Sequence, residues 1–301
     1  MPTPSRRVIL LAAVIAATLL AAALGLAACG GLAGNSAAGP AATVKALPER
    51  IIAAPRALLA ATAPDAGGTI WAVAGGSSVG LFRFSSASGH QTGSVSVNEA
   101  ARSVAQNPAG VVAIALGTAS SGALELTSGT SKHPRKIVAL PAPAVQVVGA
   151  TGSNDFYVLT AWATSASVSE VSPQGRIIRT VPAPAGAVSL AVSSAQSVLY
   201  VLQKTGLVDE IGLHNGIKES TFTVRDPGES IALSPDGGQL YVLKGTSAVS
   251  NIAVVDVATE SIAAVLPAPS HCVELTVSPD GKQLYEVVGA PGYGNIQVFG
   301  S

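Results

Sequence analysis

The 301-residue chain is poor in charged and aromatic residues. Charged side chains make up 11% of it and aromatic side chains 4%, and the 17 basic residues are matched by 17 acidic ones. A chain without a basic excess lacks the electrostatic attraction on which nucleic-acid binding depends. We therefore expect no nucleic-acid partner.

The sequence also lacks the common patterns of metal sites and cofactor loops. No zinc-protease, Cys-x-x-Cys, phosphate-loop or EF-hand pattern occurs. The histidines lie at unlike places in the chain, so they predict no symmetric metal cage; they are His90, His133, His214 and His271. We expect no cofactor, no metal and no catalytic residue, which favours a protein that is not an enzyme.

One short pattern has the spacing of a hydrolase nucleophile turn. It is Gly76-Ser77-Ser78-Val79-Gly80, which has the form Gly-x-Ser-x-Gly. That motif works in a sharp turn from a strand into a helix, and here no helical pattern follows. We interpret it as a Gly/Ser hairpin loop.

The first 28 residues have the pattern of an export signal. Arg6 and Arg7 precede the apolar run 8–24, and small residues precede Cys29. The tetrapeptide Leu26-Ala27-Ala28-Cys29 resembles the lipobox of bacterial lipoproteins. This resemblance implies cleavage before Cys29, lipid on that cysteine and an extracytoplasmic protein anchored to the cell membrane. A plain signal peptide or an uncleaved membrane helix is the alternative.

The residues after Cys29 predict a tether. Residues 29–42 are rich in Gly, Ala and Ser and show no periodicity, as is typical of flexible linkers. A lipidated Cys29 would leave Cys272 without a disulfide partner. We expect Cys272 to be a small buried residue, with a reactive or metal-binding thiol beside His271 as the alternative.

From residue 43 onward, short apolar runs alternate with turn signals. The clearest unit spans 229–269 and contains four such runs, at 230–233, 239–243, 251–257 and 261–266. The first turn reads Pro-Asp-Gly-Gly, in which proline presets one angle and glycine accepts a positive φ. The unit predicts a four-stranded antiparallel meander.

The unit recurs along the whole chain. One anchor residue in the second strand returns at intervals of 41 to 44 residues, and no window shows helical spacing. Strand repeats of this length are typical of propeller blades. We place the six anchors at Trp71, Ile114, Tyr157, Tyr200, Tyr241 and Tyr285.

Two segments of the fifth unit carry a family resemblance. Residues 234–242 (Ser-Pro-Asp-Gly-Gly-Gln-Leu-Tyr-Val) and 252–256 (Ile-Ala-Val-Val-Asp) resemble the YVTN-family β-propeller repeat of bacterial and archaeal surface proteins. The chain departs from that repeat where asparagine is expected, because it carries Tyr-Val-Leu three times. Such propellers usually have seven blades, whereas residues 43–301 have the length of six.

These patterns predict an all-β fold, a β-propeller of about six four-stranded antiparallel blades spanning residues 43–301. The last unit has only three strands, which end at Ile296–Phe299. We expect an N-terminal strand at residues 43–47 to pair with those residues as the fourth strand. This pairing would close the ring and remove the exposed sheet edges.

Polar residues are expected to gather at one end of the channel. In a meander, the loops before first strands and the loops between second and third strands lie at the same end. The candidate binding residues on this loop face are Arg102, Asp226, Glu229, His271, Glu274 and Tyr293. The alternative is that they are ordinary solvated surface residues.

The inner strands predict a narrow channel. Counting five residues back from each turn places mostly small or polar residues at the axis, namely Leu59, Ser103, Gln146, Ser189, Ser230 and Glu274. Glu274 is the one charged residue among them. It would bind a cation or pair with a neighbour such as Arg102.

Together these features favour a membrane-tethered, extracytoplasmic and monomeric binding module. Its partner would be an unknown protein or small ligand at the loop face, in addition to the membrane that the lipid on Cys29 enters. Some propellers that resemble this repeat act as lactonases, so a lactonase-like hydrolase is one alternative. A structural component of the cell envelope is the other.

Overall fold

The computed structural model describes residues 47–75, 79–128, 136–150, 152–193, 195, 197–246 and 248–300. All of them belong to one unit, Ala42–Ser301. The predicted signal, Cys29, the tether and residues 76–78 lie outside the described residues. No helix in the described part is long and apolar enough to cross a membrane.

The described residues form six four-stranded antiparallel sheets. Blade 1 contains β2 (Leu58–Ala61), β3 (Thr69–Ala74), β4 (Gly80–Ser85) and β5 (Gln91–Ser96), and blade 2 contains β6 (Ala101–Gln106), β7 (Val112–Gly117), β8 (Gly122–Thr127) and β9 (Lys136–Leu140). Blade 3 contains β10 (Ala144–Gly149), β11 (Phe156–Trp162), β12 (Ser165–Val171) and β13 (Ile177–Ala183), and blade 4 contains β14 (Ala187–Ser193), β15 (Val198–Gln203), β16 (Leu207–Gly212) and β17 (Lys218–Thr223). Blade 5 contains β18 (Gly228–Leu233), β19 (Gln239–Gly245), β20 (Ser250–Asp256) and β21 (Ser261–Ala268). Blade 6 contains β22 (Cys272–Val277), β23 (Gln283–Ala290), β24 (Tyr293–Gly300) and β1 (Arg50–Ala54).

The blades form a ring around a central channel. The sheets of blades 1 to 5 are meanders of consecutive strands, and blade 6 is completed by β1. The first strand of each blade contacts the first strand of the next blade, all the way round from β2 to β22 and back. The predicted fold, a propeller of six four-stranded blades, is confirmed. The first strands line the channel, so their side chains decide its width and polarity.

The ring is closed by an N-terminal strand, as predicted, but by a different segment. Strand β1 pairs with β24 in the register Arg50↔Val298 and Ile52↔Ile296. The prediction of residues 43–47 was wrong, because Arg50–Ala54 occupies that edge. Ile52 is 1% exposed in the core between blades 6 and 1, whereas Leu47 is 78% exposed. Residues 43–46 lie outside the described part of the chain.

The strand register corrects two sequence assignments. In blade 3 the anchor Tyr157 pairs with Val148, and at the equivalent position of blade 2 Ala113 pairs with Ala105. The anchor of blade 2 is therefore Ala113 and not Ile114. A shift of one residue moves a side chain to the other face of the sheet. Ile114 therefore packs against blade 1, where it is fully buried.

In blade 1, the channel residue is Ala60 and not Leu59. The pairing of the first strand with the second shifts in register just before Ala60 in blade 1, as it does just before Ser103 in blade 2. The two residues are therefore equivalent. It lies four residues before Pro64, while Ser103 lies five before Pro108, so counting back from the turn missed it by one position. Leu59 is instead 36% exposed.

An apolar cluster lies between each pair of neighbouring blades. In five of the six clusters, all except the one between blades 2 and 3, a second-strand aromatic anchor faces the next blade and is at least 95% buried; these anchors are Trp71, Tyr157, Tyr200, Tyr241 and Tyr285. Such rings dominate core energetics because each buries a large area. This burial holds the blades in place around the channel.

The turn between the first two strands of blade 5 forms as its sequence predicts. Ser234 Oγ donates to Asp236 Oδ1 over 2.6 Å, and the same oxygen accepts from Gly238 N over 3.0 Å. Gly237 has a φ of 75°. These bonds to the ionised form lower the pKa of Asp236, so the turn is stabilised by charge-assisted hydrogen bonds.

Candidate functional site

A ring of side chains lies around the channel at one position of each first strand. Sheet register makes six residues equivalent, and five of them are polar and buried. The six are Ala60, Ser103, Gln146, Ser189, Ser230 and Glu274. We call this set the channel ring.

Each polar member of the channel ring accepts a hydrogen bond from the backbone of the next blade. The donors are Val147 N to Ser103 Oγ (3.2 Å), Leu190 N to Gln146 Oε1 (2.7 Å), Ile231 N to Ser189 Oγ (3.0 Å), Leu275 N to Ser230 Oγ (3.1 Å) and Ala61 N to Glu274 Oε2 (2.8 Å). Inner strands have no further strand to pair with, and a buried N–H without an acceptor is costly. The ring residues supply these acceptors, so the polarity has a structural cause.

Two ring residues meet across the channel. Blades 3 and 6 are opposite each other in the ring, and Gln146 Nε2 donates to Glu274 Oε1 over 3.3 Å. Ser189 Oγ also donates to Gln146 Oε1 over 3.0 Å. This bridge divides the channel into a space at the loop face and a space at the opposite end, which we call the turn end.

Glu274 is an ionisable side chain buried in this bridge. Burial raises its pKa to about 7, and the bonds from Ala61 N and Gln146 oppose that rise. The predicted partner Arg102 is not bonded to it in the structure; the bonds of its carboxylate are to Ala61 and Gln146. Near neutral pH the carboxyl group therefore exists in both protonation states.

At the loop face the channel opens into a depression of only ≈80 Å³. Of the predicted site residues, Arg102, Glu229 and Glu274 line it together. Glu229 also forms an ion pair with Lys204 at 2.5 Å. The depression is far below the roughly 300–1,000 Å³ of small-molecule sites.

The other three predicted residues lie at the same end without lining the depression. Asp226 forms an ion pair with Lys244 at 2.6 Å. His271 precedes β22 with a φ of 61°, and Tyr293 begins β24 with 52% of its surface exposed. The loop face thus presents charges of both signs and an exposed aromatic ring around a shallow centre.

The larger space lies at the turn end, where no site was predicted. It is a cavity of ≈520 Å³ lined by the first strands and the turns that follow them. The signal was present in the small residues two places after the channel ring, such as Ala105, Ala191 and Ala232. We interpreted them as filling a narrow axis, whereas they leave room for a cavity.

The carboxyl group of Glu286 and the thiol of Cys272 are also buried in blade 6. Burial raises the pKa of Glu286 to about 8, and its Oε2 has no hydrogen-bond partner in the described part of the protein. Cys272 is buried and free, as predicted, and burial raises the pKa of its thiol. A protonated buried thiol is a poor nucleophile, so Cys272 acts as a small core residue.

Among the described residues, no group of three or more His, Cys, Asp or Glu side chains is placed to hold a metal ion. No protein-family model matches the chain, and no curated protein matches it.

Proposed function

We propose that this protein is an extracytoplasmic lipoprotein of the YVTN type, tethered by lipid on Cys29, whose propeller binds a partner without chemical turnover. The signal, the lipid and the repeat family rest on the sequence patterns. The propeller supports a binding module, since its closed ring displays loops on a rigid scaffold. The shallow loop face is the single observation that favours a macromolecular partner.

The loop face has the chemistry of a contact surface. Its central depression of ≈80 Å³ is too small to enclose a ligand, so a partner would touch the face from outside. Arg102 and Tyr293 are exposed there, and arginine and tyrosine are enriched in protein interfaces. A protein or peptide contacting both residues around Glu229 is the partner that this surface fits.

A photo-crosslinking amino acid at Tyr293 tests the contact surface in living cells. The matched control carries the same group at Ile262, which is 39% exposed on the outer strand of blade 5. We expect a discrete adduct from position 293, weakened by Arg102→Ala and Glu229→Ala. Equal adducts from both positions, or an adduct that the alanine variants leave unchanged, would contradict the assignment.

The lipid anchor has its own test. Cys29→Ala should move the protein from the detergent phase to the aqueous phase and abolish labelling with radioactive palmitate. Cys272→Ala is the control, because that thiol is buried in the propeller. A Cys29→Ala protein that still fractionates with membrane would show that an uncleaved helix is the anchor.

A lactonase-like hydrolase is the second candidate, and Glu274 is the observation that favours it. A carboxyl group with a pKa of about 7 in a channel has the property that a general base needs. The test is hydrolysis of simple lactones by the purified full chain with and without added divalent cations. Turnover that Glu274→Gln abolishes in a folded protein would replace the binding proposal.

A further inference from the structure

The cavity at the turn end has the size of a small-molecule site. Its volume of ≈520 Å³ falls within the roughly 300–1,000 Å³ that such sites occupy. It lies on the far side of the Gln146–Glu274 bridge from the loop face. An inference about it therefore does not depend on the proposed partner contact.

The cavity exists because the channel widens beyond the channel ring. Two residues after the ring, blades 2, 4 and 5 carry Ala105, Ala191 and Ala232, all of which line the cavity. Gln146 and Glu274 form its inner end, so a ligand entering between the turns meets them last. The depth of the site is set by that bridge.

The walls of the cavity are mainly apolar. The apolar side chains that face it lie two residues after the channel ring, and they include Ala105, Val148, Ala191 and Ala232. Moving an apolar group from water into contact with such side chains is favourable by about 25 cal/mol per Å² of apolar surface buried. These walls therefore fit a ligand whose body is a hydrocarbon group.

Among the described residues, the two charged side chains that line the cavity are both acidic. Glu274 lies at the inner end, and Asp65 lies in the first turn of blade 1. None of the described residues that line the cavity is lysine, arginine or histidine. Gln106, which also lines it, donates to Asp65 Oδ2 over 3.3 Å, and its own Oε1 has no donor in the described part of the protein.

Among the described lining residues, both ionisable side chains are therefore carboxylic acids, and no cationic side chain lies beside them in the lining. Glu274 uses one acceptor position on each oxygen, for Ala61 N and Gln146 Nε2, whereas a carboxylate can accept about four bonds. An anion would lie near unpaired negative charge, while a cation would neutralise it. We propose that the turn-end cavity binds a small organic ammonium ion, with its hydrocarbon body against the apolar walls and its charge at Glu274.

The protonation of Glu274 supports this assignment. Burial raises its pKa to about 7, so the charge that attracts the ammonium group is present at pH 8 and largely absent at pH 5.5. Asp65 in the cavity and Arg102 and Glu229 in the depression are the ionisable residues that line the two spaces beside it. Binding of the cation should be tighter at pH 8.

The experiment compares three probes of similar shape by calorimetric titration of the full chain in non-ionic detergent at pH 8. They are cyclohexylmethylammonium, neutral cyclohexylmethanol and cyclohexanecarboxylate. We expect the ammonium ion to bind at least about 10-fold more tightly than the alcohol, a difference of about 1.4 kcal/mol. The carboxylate should show no binding.

Two variants locate the site. Glu274→Gln keeps an oxygen for Ala61 N and should bring ammonium affinity down to that of the alcohol. Ala232→Phe fills the cavity and should abolish binding of both probes. Glu219→Gln, an equivalent change on the exposed outer strand β17, is the control and should change nothing. Circular dichroism and melting curves establish that each variant is folded.

Several results would overturn the proposal. Equal affinity for ammonium ion and alcohol, or tighter binding of the carboxylate, would refute the charge assignment. Binding that survives Ala232→Phe would place the site elsewhere. Absence of any heat from the ammonium probe at up to about 10 mM, with folded wild-type protein, would refute the site itself. If the Glu274→Gln protein binds the ammonium ion as tightly as wild type does, Glu274 is not the group that recognises the charge.

Discussion

The junction between blades 1 and 2 differs from the other five junctions of the ring. At the other five, a polar channel residue of one blade accepts an N–H from the next blade. At the first junction the equivalent residue is Ala60, which has no side-chain acceptor. Trp71, Ile114 and their apolar neighbours pack this junction together, and Arg83 lies 5.9 Å from the Trp71 ring centroid.

This difference separates two contributions to the ring. Apolar packing occurs at every junction, so it is what the propeller requires. The channel hydrogen bonds are added at five of the six junctions, and each is expected to contribute about 1 kcal/mol net. Substituting individual channel-ring residues can therefore measure how much each of these hydrogen bonds adds to the free energy of unfolding.

The largest loss is expected from Gln146→Ala. This side chain accepts from Leu190 N and Ser189 Oγ and donates to Glu274, so its removal leaves several buried groups without partners. We expect the free energy of unfolding to fall by about 2–4 kcal/mol. Denaturant unfolding of the full chain in detergent measures it.

Gln146→Ser is the matched control, because serine occupies the same ring position in three other blades. It should recover about half of the loss by restoring one acceptor. A Gln146→Ala protein within about 0.5 kcal/mol of wild type would show that the ring bonds add nothing to packing.

The junction between blades 6 and 1 should make stability depend on pH. The pKa of Glu274 is raised to about 7 in the folded protein, above its ordinary value of 4.5, so the folded state holds its proton more tightly than the unfolded state. The contribution is therefore present at low pH and is lost as pH rises from about 4.5 to about 7. A loss of about 3 kcal/mol is expected from a shift of this size.

Unfolding measurements between pH 4.5 and 8.5 test this dependence. Glu274→Gln should reduce the slope of the curve between about pH 4.5 and pH 7 by about half, because Glu286 still contributes to it. Glu286, with a pKa raised from 4.5 to about 8, has the same sign and should account for the slope that remains from about pH 4.5 to about pH 8. Wild-type stability that increases across this window would contradict both assignments.

Ser230→Ala converts one bonded junction into the form found at Ala60. It leaves Leu275 N without its acceptor in a buried place, so we expect a loss of about 1–1.5 kcal/mol. The change in melting temperature, compared with Ser270→Ala in the exposed loop before β22, measures it. Equal effects of the two substitutions would mean that the bond is not specific to the ring.

The smallest effect is expected from the reverse change, Ala60→Ser. A hydroxyl at this position would offer the sixth acceptor, here to Val104 N, and should raise stability by about 0.5–1 kcal/mol. Ala60→Cys is the control of similar size, because sulfur is a weak acceptor. A serine variant that is no more stable than the cysteine variant would show that a hydroxyl at position 60 does not form the hydrogen bond found at the other five junctions.

Local chemistry in the sequence was enough to predict the strands, the turns and the number of blades. The Pro-Asp-Gly turns and the short apolar runs act over a few residues, so they can be read without knowing what packs against them. The register was less accessible. Ile114 and Leu59 were each misplaced by one position, because a one-residue difference in a turn changes the face of a strand without changing its apolar character.

The sequence by itself determined the repeating β architecture, a ring closed through both ends of the propeller, and the shortage of charge inside it. The tertiary structure alone decided that Arg50–Ala54 is the closing strand, that Gln146 meets Glu274 across the channel, and that the larger cavity lies at the turn end. Gln146 and Glu274 are 128 positions apart. Their contact depends on how six blades are arranged around one axis, which is a property of the whole ring and of no single repeat.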